Sequence, residues 1–108
     1  MTQLNISERK DGARIILSVA GPVNSYTFTE FQEKLGKALD HADVIVEMDK
    51  VTTLSSAGIG VIMASLDDAE SGGRRIYFLR PSEIARLALE STGFLERFPI
   101  IQNLKDIA

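Results

Sequence analysis

Two adjacent hydroxyls open the stretch of this chain with the most evident chemistry, Leu54-Ser55-Ser56-Ala57-Gly58-Ile59-Gly60, which leads into an amphipathic helical pattern. Hydroxyls at a helix start lie beside unpaired backbone N–H groups and the positive end of the macrodipole, where a phosphoryl group is electrostatically favoured. Three roles fit that placement. One serine caps the helix, the loop cradles a nucleotide phosphate, or one serine accepts a phosphoryl group as a switch. The G-x-x-x-x-G-K-[ST] pattern of a nucleotide cradle is absent and no Lys follows, which weighs against the second. Gly58 and Gly60 each cost a helix up to about 1 kcal/mol relative to Ala. Each therefore needs a reason, either close packing on a sheet or a smooth surface over which another protein's active site can close.

The rest of the composition narrows the chemistry. The 108 residues contain no Cys and one His, so thiolate metal sites, disulfides and Cys nucleophiles are excluded, and any metal site or Ser/His pair depends on His41. His41 stands beside Asp40 and Asp43 after the first helical stretch, where a basic group serves as a macrodipole partner. No metal or other cofactor is expected. Asp67, Asp68 and Glu70 read as the solvated side of a helix or part of a partner surface. A net charge of −3 argues against nucleic acid, whose phosphates need clustered Lys and Arg. The basic residues Arg9, Lys10, Arg74, Arg75 and Arg80 read as loop and strand-end charges. No apolar run approaches the roughly 18 residues that cross a bilayer, and no basic, apolar leader opens the chain. A cytoplasmic protein without membrane insertion is expected.

The positioning elements follow from periodicity. With 44% hydrophobic and 25% charged residues and no linker-like tract, residues 1–108 read as a single domain. Leu4 and Ile6 alternate with polar residues, and Asp11–Gly12 turns the chain into a second strand ending at Gly21–Pro22. Phe28, Phe31, Leu35, Ala38 and Leu39 recur at helical spacing, with Thr27 and Glu30 in the form of a capping box. Val44–Met48 reads as a central strand closed by Asp49 and Lys50, followed by a Thr/Ser-rich loop and a second helical stripe through Ile59, Ile62, Met63 and Leu66. Ser71-Gly72-Gly73 ends that helix, and Ile76–Leu79 is a further strand. Ser82 caps a third helix with Ile84, Leu87 and Ala88 toward the core, Gly93 ends it, and Ile100–Ile101 and a helical turn near Asn103 close the chain. The order β-β-α-β-α-β-α-β-α predicts an α/β domain, with an N-terminal hairpin, a mixed sheet whose later strands are parallel, and helices packed on it. Sites in such sheets favour the carboxyl ends of the strands, here Gly21–Thr27, Asp49–Ala57 and Arg80–Ser82.

With those elements in place, Leu54–Ile62 resembles the D-S-[ST/A]-G-[LI]-G-[VI] signature of STAS domains, in particular the small anti-sigma-factor antagonists of bacteria. Gly21–Asn24 stands in the place of the family's G-E-[LI]-D turn, and Pro81-x-x-Ile84-x-x-Leu87 through Thr92-Gly93-Phe94 extends the likeness over nearly the whole chain. The resemblance implies a binding switch rather than an enzyme. Such proteins, when dephosphorylated, bind an anti-sigma factor that is usually also a serine kinase and so free a sigma factor. The kinase ends the association by phosphorylating the antagonist, and a serine phosphatase resets it. Aligned on Gly58-Ile59-Gly60, the phosphoacceptor is Ser56, with Ser55 as the rival. The implied partner surface comprises Asn24, Tyr26, Ser55, Ser56, Ala57, Gly58 and Ile59. Ser55 replaces the family's acid, and Pro22 and Asn24 replace those of the turn, so negative charge is removed around Ser56. The other role compatible with these changes is a non-phosphorylated STAS adaptor subunit in a transporter or signalling assembly.

Overall fold

The computed structural model describes residues 3–107. Strands β1 (Asn5–Asp11) and β2 (Arg14–Val23) form the expected hairpin around Gly12, whose φ of 62° suits the turn. They are followed by α1 (Phe28–Leu39), β3 (Asp43–Leu54), α2 (Ser56–Ser71), β4 (Ile76–Leu79), α3 (Glu83–Glu90), a 3-10 turn at Leu95–Arg97, β5 (Ile100–Ile101) and a 3-10 turn at Leu104–Ile107. The five strands form one sheet in the order β1-β2-β3-β4-β5. β1 is antiparallel to β2, and β2 through β5 are parallel. The mixed α/β arrangement is thus the one predicted, except that the last helical element is a 3-10 turn and a second such turn precedes β5.

Successive parallel neighbours in sequence order place their crossovers on one face. That face carries the main core, with Leu17, Val19, Val44, Val46 and Met48 from the sheet meeting Phe31 and Leu35 of α1, Ile62 of α2 and Leu89 of α3. The opposite face holds a smaller cluster of Ile16, Ile45, Leu79 and Ile101, against which Leu104 and Ile107 of the last turn pack. Alternation within β3 supplies both layers.

Both site-bearing strands run further than predicted. β2 does not end at Gly21–Pro22, nor β3 at Asp49–Lys50: Ala20, Gly21, Pro22 and Val23 pair with Lys50, Val51, Thr53 and Leu54, across register shifts. The polar residues that suggested a loop, Asp49, Lys50, Thr52 and Thr53, are exposed because this ribbon continues past the end of β4, while Val51 and Leu54 are buried. The predicted loop Asp49–Ala57 contracts to Ser55.

Two helix readings also change. Thr27 is the N-cap residue of α1 but forms no side-chain cap bond, so there is no capping box. Its hydroxyl instead donates to the Pro22 carbonyl at 2.9 Å and accepts from Asn24 N–H at 2.9 Å. In α3, Ser82 caps as predicted, accepting from Ala85 N–H at 3.1 Å and donating to the Val51 carbonyl at 2.7 Å. The predicted core stripe is turned outward, however. Ile84 and Leu87 are 53% and 56% exposed, Ala88 is half-buried, and Ala85 and Leu89 fill the core. In an eight-residue helix with apolar residues on two adjoining faces, the small Ala85 side allows closer approach to β3.

On the smaller face, Glu47 is 17% exposed and joins three strands. It accepts from Ser18 Oγ at 2.6 Å, pairs with Arg80 at 3.2 Å and lies 3.6 Å from Arg9. Arg9 and Arg80 are therefore tied into the sheet rather than being free strand-end charges. Above all the Ser18 hydroxyl, then Arg9 and Arg80, hold the Glu47 carboxyl below its ordinary range against the opposing effect of burial. A group with a lowered folded pKa stabilises above its unfolded value and loses that contribution as pH falls through the folded value. Glu47→Gln is expected to destabilise the protein by about 1 kcal/mol at neutral pH. Melting curves of the two proteins should converge as pH drops below the unfolded value of 4.5. Parallel curves down to strongly acidic pH would show that Glu47 titrates normally.

Candidate functional site

The extended β2–β3 ribbon delivers two connections to the same place. Ser55 N–H donates to the Val23 carbonyl at 2.9 Å, fastening the entry to α2 onto the turn that leads to α1. In that turn Asn24 Oδ1 accepts from the N–H groups of Tyr26, at 2.8 Å, and Thr27, at 3.2 Å. Its carbonyl accepts from Phe28 N–H at 2.9 Å. Asn24 is thus occupied in shaping the turn, an Asx arrangement that a sequence can signal but not locate. What the turn presents is Tyr26, whose side chain is 94% exposed.

The two serines are not equivalent. Ser55 is the N-cap residue of α2 in extended conformation, and its carbonyl accepts the first helical bond from Ile59 N–H at 2.9 Å. Its hydroxyl makes no cap bond, is buried, and has no hydrogen-bond partner among the described residues. Ser56 is exposed at the first helical position. Of the two serines, Ser56 is the one exposed at the surface. No acidic side chain occupies the first turn of α2, so a phosphoryl group on Ser56 would meet the unpaired N–H groups and positive helix end without a carboxylate from its own turn.

The two glycines also separate. A Cβ on Gly58 would lie 2.7 Å from Val23 Cγ1, 2.8 Å from Leu54 Cδ1 and 3.3 Å from the Val23 carbonyl oxygen. Gly58 therefore lets the helix start seat on the ribbon. At Gly60 a Cβ would meet nothing within 4 Å, and the residue is exposed. Packing explains the first glycine and leaves the second open to the surface reading.

Of the residues the sequence put forward, Ser55 through Ile59 and the Asn24–Tyr26 turn come together, with Ala57 and Ile59 half-buried. Sequence reasoning missed Val23 and Leu54 as the seat beneath Gly58, because both strands were ended too early. His41 is exposed on the short segment between α1 and β3. No group of three or more His, Cys, Asp or Glu among the described residues is arranged to hold a metal ion.

A STAS-domain family model matches residues 5–107. Among solved structures, the fold superposes with a TM-score of 0.85 on an anti-sigma factor antagonist from Mycobacterium paratuberculosis, at 17% identity over 96% of this chain and 90% of that one. It superposes on SpoIIAA, an anti-sigma factor antagonist, in its unphosphorylated form with a TM-score of 0.73, at 15% identity over 99% and 93% of the two chains. The phosphorylated form of the Bacillus cell fate determinant SpoIIAA gives 0.68, at 15% identity over 99% and 96%. At these identities the likeness is one of fold.

Proposed function

Because the chain belongs to the STAS-domain family, we propose that it is an anti-sigma-factor antagonist that binds an anti-sigma factor with serine-kinase activity and is switched off by phosphorylation of Ser56. The observation that carries this reading is the contrast between the two hydroxyls, with Ser56 exposed at the start of α2 and Ser55 Oγ buried. Support also comes from the structural neighbours, two of which are described as anti-sigma factor antagonists and one of which is a phosphorylated form.

In this reading the dephosphorylated protein occupies the anti-sigma factor through Tyr26, Ser56, Ala57, Ile59 and the open surface at Gly60, and sigma factor is released. The chain contributes an accepting hydroxyl and no catalytic group. The γ-phosphoryl donor, its Mg²⁺ and the groups that position them belong to the kinase. Transfer joins Ser56 Oγ to the γ-phosphorus and breaks its bond to ADP, while the hydroxyl proton leaves to the kinase. The product carries about −1.5 to −2 charges at neutral pH. In free antagonist that charge is solvated and faces a helix N-terminus. Inside a closed interface it must be desolvated without a built partner, which favours dissociation. A serine phosphatase restores the binding form. In this reading the kinase and the sigma factor put the activity in the cytoplasm.

Affinity capture from the native cell tests the partner. Recovery of a kinase-fold anti-sigma factor supports this reading, whereas recovery of a transporter ATPase identifies the adaptor role. Gly60 gives an internal check. Gly60→Ala is expected to stabilise the free protein by up to about 1 kcal/mol, since a Cβ there meets open space. It should nonetheless weaken partner binding about tenfold by holding the surfaces apart. Calorimetry on the variant alone and with partner reads both effects, and unaltered affinity would remove Gly60 from the interface.

A further inference from the structure

At the opposite end of the sheet from Ser56, a cavity of about 530 Å³ opens between the last turns of α2, the start of β4 and the segment before β5. Leu66, Ile76 and Pro99 supply an apolar side. Arg74, Arg75 and Arg97 supply a cationic one, and Glu70 is the one carboxylate in the lining. Arg74 and Arg75 are placed by backbone contacts that leave their charged ends free. Arg74 N–H donates to the Ala69 carbonyl at 2.7 Å, and Arg75 N–H to Asp43 Oδ1 at 3.0 Å. Among the described residues neither guanidinium has a hydrogen-bond acceptor or an ion-pair partner. Arg97 has only Asp67, at 3.5 Å between two well-exposed side chains, a contact that is readily exchanged.

Neighbouring unpaired guanidiniums repel one another, and each presents a planar set of donors matched to an oxyanion. In an acidic chain, their convergence on an apolar cleft with a pinned backbone points to a ligand that satisfies both sides. We propose that this cavity binds a small oxyanion attached to a flat apolar body, with the anion held by Arg74 and Arg75, assisted by Arg97, and the body against Leu66, Ile76 and Pro99. The site is separate from the serine switch and does not depend on it.

Phenyl phosphate is a suitable probe, with inorganic phosphate as the anion without the body. Titration of the isotopically labelled protein, followed by amide NMR, should give saturable shifts centred on Gly73–Tyr77 and Arg97–Pro99. Phenyl phosphate should bind at least about tenfold more tightly than inorganic phosphate because ring burial adds to the anion contact. The Arg74→Gln/Arg75→Gln variant, with an otherwise unchanged spectrum, should lose at least about tenfold in affinity for phenyl phosphate. Absence of saturable shifts, equal binding of the two anions, or undiminished binding by the double variant would each overturn the assignment. Should the double variant not fold, Arg75→Gln alone, at an exposed position, gives the same test with a smaller expected loss of about threefold.

Discussion

Ser56→Asp is expected to bind the partner kinase at least about a hundredfold more weakly than the wild type while keeping its fold. The side chain is exposed at the first helical position, so a carboxylate there costs the free protein nothing in packing. It gains about 0.3–1 kcal/mol from the positive end of α2. In a closed complex the same charge is desolvated without a partner, a penalty of about 3–5 kcal/mol, or about two to three and a half orders of magnitude in affinity. Free-state stability and affinity should therefore move in opposite directions. Ser56→Ala should retain binding and lose the switch. Circular dichroism and titration calorimetry on the three proteins would measure this. Wild-type affinity in the Asp variant would mean that charge at Ser56 does not control association.

Gly58→Ala is expected to destabilise the fold by about 1–3 kcal/mol even though Ala is the better helix former. The added methyl would press into Val23 and Leu54 side chains at under 3 Å, and the Val23 carbonyl that lines the same seat is held by Ser55 N–H. For a chain of this length each kcal/mol is about 4–8 °C in Tm. The contact is local, so adding Val23→Ala, which opens space beneath the new methyl, should make the pair less destabilised than the sum of the single changes. Thermal melts of the double-mutant cycle decide this. Strict additivity, or a neutral Gly58→Ala, would mean that the helix start is not seated as described.

Most of the architecture was legible in the sequence, and its failures share a cause. Periodicity located the hairpin, the three helices and the central strands because burial on one face imposes a period of two or 3.6. It failed where polar residues sit in a paired ribbon that outruns its neighbour, as at Asp49, Lys50, Thr52 and Thr53. Exposure there comes from the shortness of β4, a tertiary fact absent from the local pattern. The outward turn of Ile84 and Leu87 has a similar origin, since two apolar faces compete in a short helix and the approach to β3 selects between them. Spacing alone also left Ser55 and Ser56 indistinguishable as acceptors. The backbone gives the two different surroundings, with the hydroxyl of the extended Ser55 buried and Ser56 exposed at the first helical position. The two glycines, alike in sequence, are likewise divided only by what lies beneath them.

Incubation with the cognate kinase and ATP, followed by mass-spectrometric mapping, addresses the switch most directly. One phosphoryl group on Ser56 is expected, with Ser55→Ala modified to the same extent and Ser56→Ala unmodified. Phosphate on Ser55, phosphate elsewhere in the chain, or no transfer within a tight complex would contradict the account.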